Sequence, residues 1–238
     1  MSNQDRPHVL VLNHFAVSRG SAGGTRHVEL FGRLENWSHT IVAADRNLFD
    51  RKRHKPDSSM LTVPTIGYRD NGVMRILNWA SFGVGALVRG LVSPRPQVVY
   101  ASSPHLLTGV AGWVLSKVRR ARFVLEIRDL WPEVLVAMER LDERSLVYKS
   151  LHKLEGWLYR SADHIVVLAQ GVKDAIVARG VAADKISLIP NGAEPADFAV
   201  SEHRGVLRQR FDLTGTVCVY AGAHGPANGL TLALEAAA

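Results

Sequence analysis

The chain has 238 residues, 47% hydrophobic and 21% charged, close to the average for soluble globular proteins, and this composition excludes general disorder. It contains one cysteine, Cys218, so the sequence can form neither a disulfide framework nor a zinc cluster, and we expect a reducing, cytoplasmic setting. Lysine and arginine exceed aspartate and glutamate by 29 to 22, and the net charge of +7 suits an anionic partner: nucleic acid, lipid headgroups or a pyrophosphate.

Short apolar runs alternate with helical stretches along most of the chain. In chain order the predicted elements are a strand at 8–13, a helix at 25–34, strands at 39–44 and 61–68, an apolar helix at 74–92, a strand at 98–102, a helix at 104–118, a strand at 123–127, a short helix, a long helix at 143–160, a strand at 164–168, a helix ending near 180 and a strand at 186–189. This alternation predicts an α/β fold, a Rossmann-like parallel sheet with helices on both faces.

A second unit is predicted to begin late in the chain. After a turn at 190–192 and a polar stretch, residues 217–221 read as a buried strand and a helix opens at Asn228. One strand and one helix cannot bury their own apolar faces, so we expect the sequence to be a piece of a longer protein. The expected divisions are a first domain at 1–200, a linker at 201–215 and the start of a second Rossmann-like domain at 216–238.

A basic loop and an apolar helix together predict contact with an anionic membrane surface. The loop's cations are Arg51, Lys52, Arg53 and Lys55. The helix at 74–92 carries Trp79 and Phe82 in a run too short and too interrupted to span a bilayer. The structural alternative is a solvated loop beside an ordinary core helix. We expect a peripheral location at the inner face of the plasma membrane, and no nucleic-acid partner.

Glycines follow the first predicted strand. Gly23 and Gly24 allow close approach of a ligand to the backbone, and the next helix offers free N–H groups to an anion. A tight strand-to-helix turn is the structural alternative. The spacing is not G-x-G-x-x-G, but Asp45 after the second strand keeps a dinucleotide-binding alternative open.

Two charged residues follow the fifth predicted strand, and a histidine follows the fourth. Ligands in open α/β sheets bind outside the carboxyl ends of strands, which makes Arg128 and Asp129 candidate catalytic residues. A mutual surface ion pair between them is the alternative. His105 lies in the equivalent position one strand earlier and is a candidate substrate-binding residue.

Several motifs, in this order and spacing, resemble family 4 glycosyltransferases, and most closely the bacterial enzymes that build O-antigen and capsule repeats, including N-acetyl-fucosamine transferases. They are Gly23-Gly24, Glu-Ile-Arg-Asp-Leu-Trp-Pro-Glu at 126–133, Ser-Ala-Asp-His-Ile-Val-Val-Leu at 161–168, Lys-Ile-Ser-Leu-Ile-Pro-Asn-Gly at 185–192 and Tyr-Ala-Gly at 220–222. The resemblance covers essentially the whole chain. It implies a GT-B fold, in which two Rossmann-like domains face each other across a cleft and the second holds most of the donor nucleotide.

The resemblance also implies roles for particular residues. Gly23 and Gly24 would lie near the donor's phosphates and the transferred sugar. Asn191 would mark the crossing to the second domain, and Gly222 and Gly225 would form that domain's first phosphate-facing loop. Many members carry a histidine near the position of Arg128 and Asp129. This chain does not, so no histidine role is carried over; Arg128 is expected to hold pyrophosphate and Asp129 to accept from an acceptor hydroxyl.

The function predicted on this basis is transfer of a sugar from a nucleotide-diphosphate donor to a lipid-linked or saccharide acceptor, by a hexosyltransferase-type, retaining enzyme of cell-surface polysaccharide synthesis. No metal and no cofactor besides the donor substrate is expected, and the 238 residues alone are expected to be inactive. Two alternatives stay open: an NAD-dependent Rossmann oxidoreductase or epimerase, and a non-catalytic acceptor-binding module.

Overall fold

The structure is a computed structural model that describes residues 6–19, 21, 23–47, 53, 56, 58, 60–68, 72–199, 204–222, 224–225 and 228–237. Its centre is a parallel sheet whose seven strands are β1 (His8–Leu12), β2 (Ser38–Ala44), β3 (Met60–Val63), β4 (Val98–Ser102), β5 (Arg122–Ile127), β6 (His164–Val167) and β7 (Ile186–Leu188). The strand order is β3-β2-β1-β4-β5-β6-β7, and every neighbouring pair is parallel. All seven strands predicted before residue 190 are confirmed, although the third is shorter than expected.

Helices connect these strands and continue beyond them. They are α1 (Arg26–Gly32), α2 (Val73–Val92), α3 (Leu106–Arg119), α4 (Glu133–Ala137), α5 (Leu146–Ser161), α6 (Gln170–Ala178), α7 (Arg204–Arg210) and α8 (Leu230–Ala237), with short 3-10 helices at Ala183–Lys185 and Pro195–Phe198. The long helix α5 begins three residues later than predicted because Ser145 caps it, its Oγ accepting from the Tyr148 N–H at 3.1 Å. Thr25 precedes α1 as expected, but its side chain makes no capping hydrogen bond.

Both faces of the sheet are covered, which confirms the predicted fold class. Along β1, Val9 and Val11 pack with α1 through Val28 and Phe31. Leu10 and Leu12 turn to the other face, where the core receives buried residues from α2, α3, α5 and α6. Because strand residues alternate between faces, a continuous apolar strand such as β1 requires this double cover. No helix within the described part of the chain is long and apolar enough to cross a membrane.

The chain divides into two units, residues 1–191 and 192–238. In the second unit the predicted strand at 217–221 is wrong: these residues form no strand and are exposed. A strand is stabilised by hydrogen bonds to a neighbouring strand, and no described residue supplies one here. The predicted C-terminal helix is confirmed as α8, while α7 lies in a stretch where only a polar connection was expected.

Candidate functional site

A cavity of about 190 Å³ opens at the carboxyl edge of the sheet. Its lining comes from segments that follow β1, β2, β4 and β5 and from the first turn of α2: Phe15, Val17, Gly23, Gly24, Asn47, Arg75, Pro104, Arg128 and Asp129. Residues after parallel strands meet at this edge because the strands all point the same way. The four residues predicted from the glycine loop and from the end of the fifth strand therefore line one cavity.

The glycine loop is folded back against the end of β1. The Val17 N–H donates to the Gly24 carbonyl at 3.3 Å, and Gly23 has φ of 138°, a conformation that side-chain-bearing residues rarely adopt. A Cβ on Gly24 would lie 3.3 Å from the Phe15 carbonyl oxygen and 3.9 Å from Nη1 of Arg128. A larger residue at position 24 would thus crowd the loop and narrow the space beside the Arg128 guanidinium.

Two arginines and one carboxylate give the cavity its charge. Arg128 and Asp129 both line it, and among the described residues neither forms an ion pair, so the alternative of a mutual pair is not observed. The Arg128 N–H donates to Ser103 Oγ at 2.9 Å, which fixes the end of β5 against the loop after β4. Arg75 is a second arginine that lines the cavity. It was not predicted as a site residue, because only the apolar residues of its helix were considered in the sequence. Guanidinium groups that line one cavity suit a phosphate or pyrophosphate.

His105 is buried and does not line this cavity, so its role as a substrate-binding residue stays a prediction that this geometry does not support. It is 2% exposed, its ring stacks on Trp79 with centroids 5.1 Å apart, and His14 Nδ1 and His105 Nε2 are hydrogen-bonded at 2.8 Å. His14 is itself buried between Phe15 and Phe82. The two histidines therefore form a buried pair beneath the carboxyl edge, surrounded mainly by aromatic rings.

Burial lowers the pKa of both histidines, with a smaller contribution from the Arg75 charge; His14 falls to about 3. Above pH 6.5 both histidines are mainly neutral in the folded and in the unfolded chain, so their protonation does not make the free energy of unfolding depend on pH. Below pH 6.5 the unfolded chain takes up protons that the folded chain refuses. The free energy of unfolding should fall by up to about 1.4 kcal/mol per pH unit for each histidine.

We therefore expect His105→Asn to flatten the dependence of unfolding free energy on pH between 6.5 and 5. Urea unfolding at successive pH values measures this slope. His224→Gln, at an exposed histidine, should leave the slope as it is in the parent chain. If His105→Asn leaves the slope unchanged, protonation of the buried pair does not cause the loss of stability at low pH.

Beneath the glycine loop lies a buried carboxylate that the sequence pattern did not single out. Glu126 on β5 is fully buried and accepts hydrogen bonds from four groups. The donors are His27 Nε2 at 2.7 Å, Ser102 Oγ at 2.6 Å, Tyr100 Oη at 2.8 Å and Arg26 Nε at 2.9 Å. Asn13 Nδ2 donates to His27 Nδ1 at 2.6 Å, which leaves the His27 Nε2–H to face the carboxylate. Burial raises the pKa of Glu126, but the hydrogen bonds from His27, Ser102 and Arg26 prevail and hold it below its usual range.

Arg26 carries this network to the end of the first unit. Its guanidinium, with a side chain 7% exposed, donates to the carbonyls of Ile189 at 2.7 Å and Pro190 at 2.8 Å. It also lies 3.4 Å from Asn191 Oδ1. Asn191, predicted to mark the crossing between domains, is thus held at the last residue of the first unit. Gly222 and Gly225 belong to the second unit, and their predicted phosphate-facing role stays a prediction.

The residues that were predicted to face a membrane differ in their exposure to solvent. Phe82 is fully buried, so its prediction is wrong, and Trp79 is partly buried against the core with its indole nitrogen enclosed. Their positions follow from helix phase: both lie on the side of α2 that packs on the sheet. Arg53 is exposed and pairs with Asp45 at 3.1 Å. The other basic residues of that prediction, Arg51, Lys52 and Lys55, lie outside the described residues.

One cluster has the composition of a metal site. Ligand atoms of Glu133, His152 and Glu155 lie within 4.8 Å of one another. Arg179, however, donates to both Glu133 and Glu155, so each carboxylate already has a cationic partner. The arrangement fits an ion-pair network that ties α4, α5 and α6 together.

The chain is similar to a known family in sequence and to known proteins in structure. Residues 23–192 match the family model described as "Glycosyl transferase 4-like domain". No curated protein sequence matches the chain. Among solved structures, sucrose-phosphate synthase from Thermosynechococcus elongatus is similar at 16% identity with a TM-score of 0.58, over 88% of this chain and 53% of that one. A UDP-N-acetylglucosamine 2-epimerase is similar at 14% identity with a TM-score of 0.50, over 86% of this chain and 54% of that one. The chain thus spans about half the length of these structures.

Proposed function

This chain belongs to the family of glycosyl transferase 4-like domains, and on that premise we propose that it forms the acceptor side of an enzyme that transfers a sugar from a nucleotide-diphosphate donor. The acceptor is a saccharide or a lipid-linked saccharide of cell-surface polysaccharide synthesis, and transfer retains the anomeric configuration. The observation that carries the proposal is the single cavity that joins Gly23, Gly24, Arg75, Arg128 and Asp129 at the carboxyl edge of the sheet.

Each lining group suits one part of such a reaction. Charge develops on the leaving pyrophosphate as the sugar departs, and the guanidinium groups of Arg75 and Arg128 would stabilise it. The Asp129 carboxylate, exposed and without an ion-pair partner among the described residues, would accept a hydrogen bond from the attacking hydroxyl. The glycine loop lets the donor approach the backbone. Positioning two substrates in this way contributes to rate without a covalent intermediate.

The rival function, binding of a dinucleotide, is disfavoured by Asp45. In a dinucleotide fold the acid after the second strand accepts hydrogen bonds from a ribose. Here Asp45 Oδ1 instead accepts from the Thr65 N–H at 3.0 Å and from its hydroxyl at 3.1 Å, while Oδ2 pairs with Arg53. A carboxylate that already accepts these hydrogen bonds is poorly placed to bind a ribose.

The name of the similar epimerase also refers to a nucleotide sugar, which agrees with the donor class proposed.

Titration of the gene's full-length product with UDP-N-acetylglucosamine, UDP-glucose and NADH tests the proposal. We expect saturable binding of a nucleotide sugar, weakened about tenfold to a hundredfold by Arg128→Ala because one charge-assisted contact is lost. Arg122→Ala, at the opposite end of the same strand, serves as the matched control and should bind as the parent does. Tight binding of NADH with no response to any nucleotide sugar would overturn the proposal. A non-catalytic module would instead bind a saccharide without any donor response.

A further inference from the structure

The outward side of α2 is apolar. Val73, Leu77, Val84, Val88 and Leu91 are between 43% and 71% exposed. They recur at intervals of three, four and seven residues, so they form one stripe along a helix of 20 residues. The corresponding side of a helix on a soluble domain normally carries charged and polar groups.

The inward side of α2 is apolar as well. Phe82, Ala86 and Gly90 are buried against the sheet. A helix that is hydrophobic all round is normally enclosed by protein or lipid on every side. Within the described residues of this chain, α2 is enclosed on one side only, and this leaves the outer stripe, from Val73 to Leu91, without a cover.

The segment that contains this stripe carries charges of one sign only. Residues 71–125 contain no aspartate or glutamate and seven cations: Arg75, Arg89, Arg95, Lys117, Arg119, Arg120 and Arg122. Near the end of α2, four cations and one carboxylate line an open hollow of about 590 Å³: Arg95, Lys117, Arg120, Arg122 and Asp163. Among the described residues Arg89, Arg95, Lys117 and Arg120 form no ion pair, and Arg122 pairs only with Asp163, at 3.7 Å. Val118, between two of these cations, is 60% exposed.

We propose that the outer stripe of α2 and this basic hollow together dock on an anionic lipid bilayer, with the stripe in the boundary between headgroups and acyl chains. Apolar residues flanked by a surplus of cations match both layers of such a surface. A second copy of the chain would bring the same cations against each other, so self-association on this surface is opposed by charge. The helix rests in the plane of the interface, since it is not apolar enough to cross.

This position has a consequence for the substrate, which rests on the proposed function. Arg75, in the first turn of α2, lines the cavity at the carboxyl edge of the sheet. One end of the docked helix is therefore part of the cavity wall. A bilayer that contacts Val73 and Leu77 lies beside the cavity, and the acceptor then belongs to the lipid-linked class.

Co-sedimentation of the 238-residue chain with vesicles tests the docking without any reference to transfer. Vesicles of phosphatidylcholine alone are compared with vesicles that contain phosphatidylglycerol, at low and high salt. We expect Lys117→Gln with Arg120→Gln to weaken binding to the anionic vesicles at low salt about fivefold per cation removed. We expect Val84→Gln with Val88→Gln to weaken it about tenfold at either salt concentration. All four side chains are exposed, so the fold is retained.

Matched controls lie on the opposite side of the sheet. Leu30→Gln with Leu34→Gln removes two exposed leucines on the α1 side, and Arg19→Gln with Arg33→Gln removes the same net charge there. Both double variants should bind vesicles as the parent does. Equal losses in the control and test variants, no vesicle binding by the parent, or a concentration-dependent dimer abolished by Val84→Gln with Val88→Gln would each overturn the docking. Because the readout is sedimentation, failure here leaves the nucleotide-sugar titration to decide the proposed function separately.

Discussion

Replacement of Glu126 by alanine should lower the free energy of unfolding by about 3–5 kcal/mol. The carboxylate is fully buried, and its removal deprives the donors on His27, Ser102, Tyr100 and Arg26 of their shared acceptor. Each buried donor left without an acceptor costs free energy, and the Arg26 charge would be left only partly compensated. Urea unfolding followed by circular dichroism measures the loss.

Two further variants make this prediction specific. Glu126→Gln keeps the shape of the side chain but removes its charge, so we expect a smaller loss than for alanine. Glu143→Ala removes an exposed carboxylate and should change the unfolding free energy by no more than about 0.5 kcal/mol. Equal stability of Glu126→Ala and the parent chain would show that the network does not hold the carboxyl edge together.

Gly112→Ala should destabilise the chain by about 1–3 kcal/mol, although alanine favours helix over glycine. Gly112 lies where α3 crosses the sheet, and a Cβ there would be 2.5 Å from the Ala101 Cβ and 3.1 Å from the Phe123 ring. Neither neighbour is the flexible end of a long side chain. The helix would have to move away from β4 and β5, the strands whose ends carry the site.

Gly171→Ala is the matched control for this substitution. Gly171 is also helical, in α6, and nothing lies within 4 Å of a Cβ placed there. The change should stabilise the chain by about 0.4–1 kcal/mol, because alanine reduces the freedom of the unfolded chain. Thermal unfolding of the two variants should move in opposite directions. A stabilised Gly112→Ala variant would contradict the close approach of α3 to the sheet.

The sheet could be predicted from the sequence because each buried strand is a short, nearly continuous apolar run between helical stretches. The rule that ligands bind at carboxyl ends of strands pointed to Arg128 and Asp129, and the glycine pair after the first strand pointed to Gly23 and Gly24. The structure places all four around one cavity. Such inferences need only local pattern and the direction of the strands. The predicted strand at 217–221 failed because a strand also depends on its neighbours.

Features that depend on distant contacts could not be predicted in this way. The partners Arg26 and Glu126 are separated by 100 residues, and no local pattern relates them. The burial of His105 depends on the placement of His14 and Trp79 around it. On α2 the phase was inaccessible because apolar residues occur on every side of the helix. Phe82 and Val84 are equally apolar in sequence, and only packing shows which one faces outward.

The most direct test of the transferase function is the rate at which the gene's full-length product releases UDP from UDP-glucose or UDP-N-acetylglucosamine in the presence of a membrane lipid extract. If Arg128 stabilises the departing pyrophosphate, Arg128→Ala should lower this rate about a hundredfold, whereas Arg33→Ala, at an exposed arginine on the α1 side of the sheet, should leave it unchanged. Equal rates for the two variants, or no UDP release by a folded parent protein that binds NADH, would contradict a sugar-transfer site at this edge of the sheet.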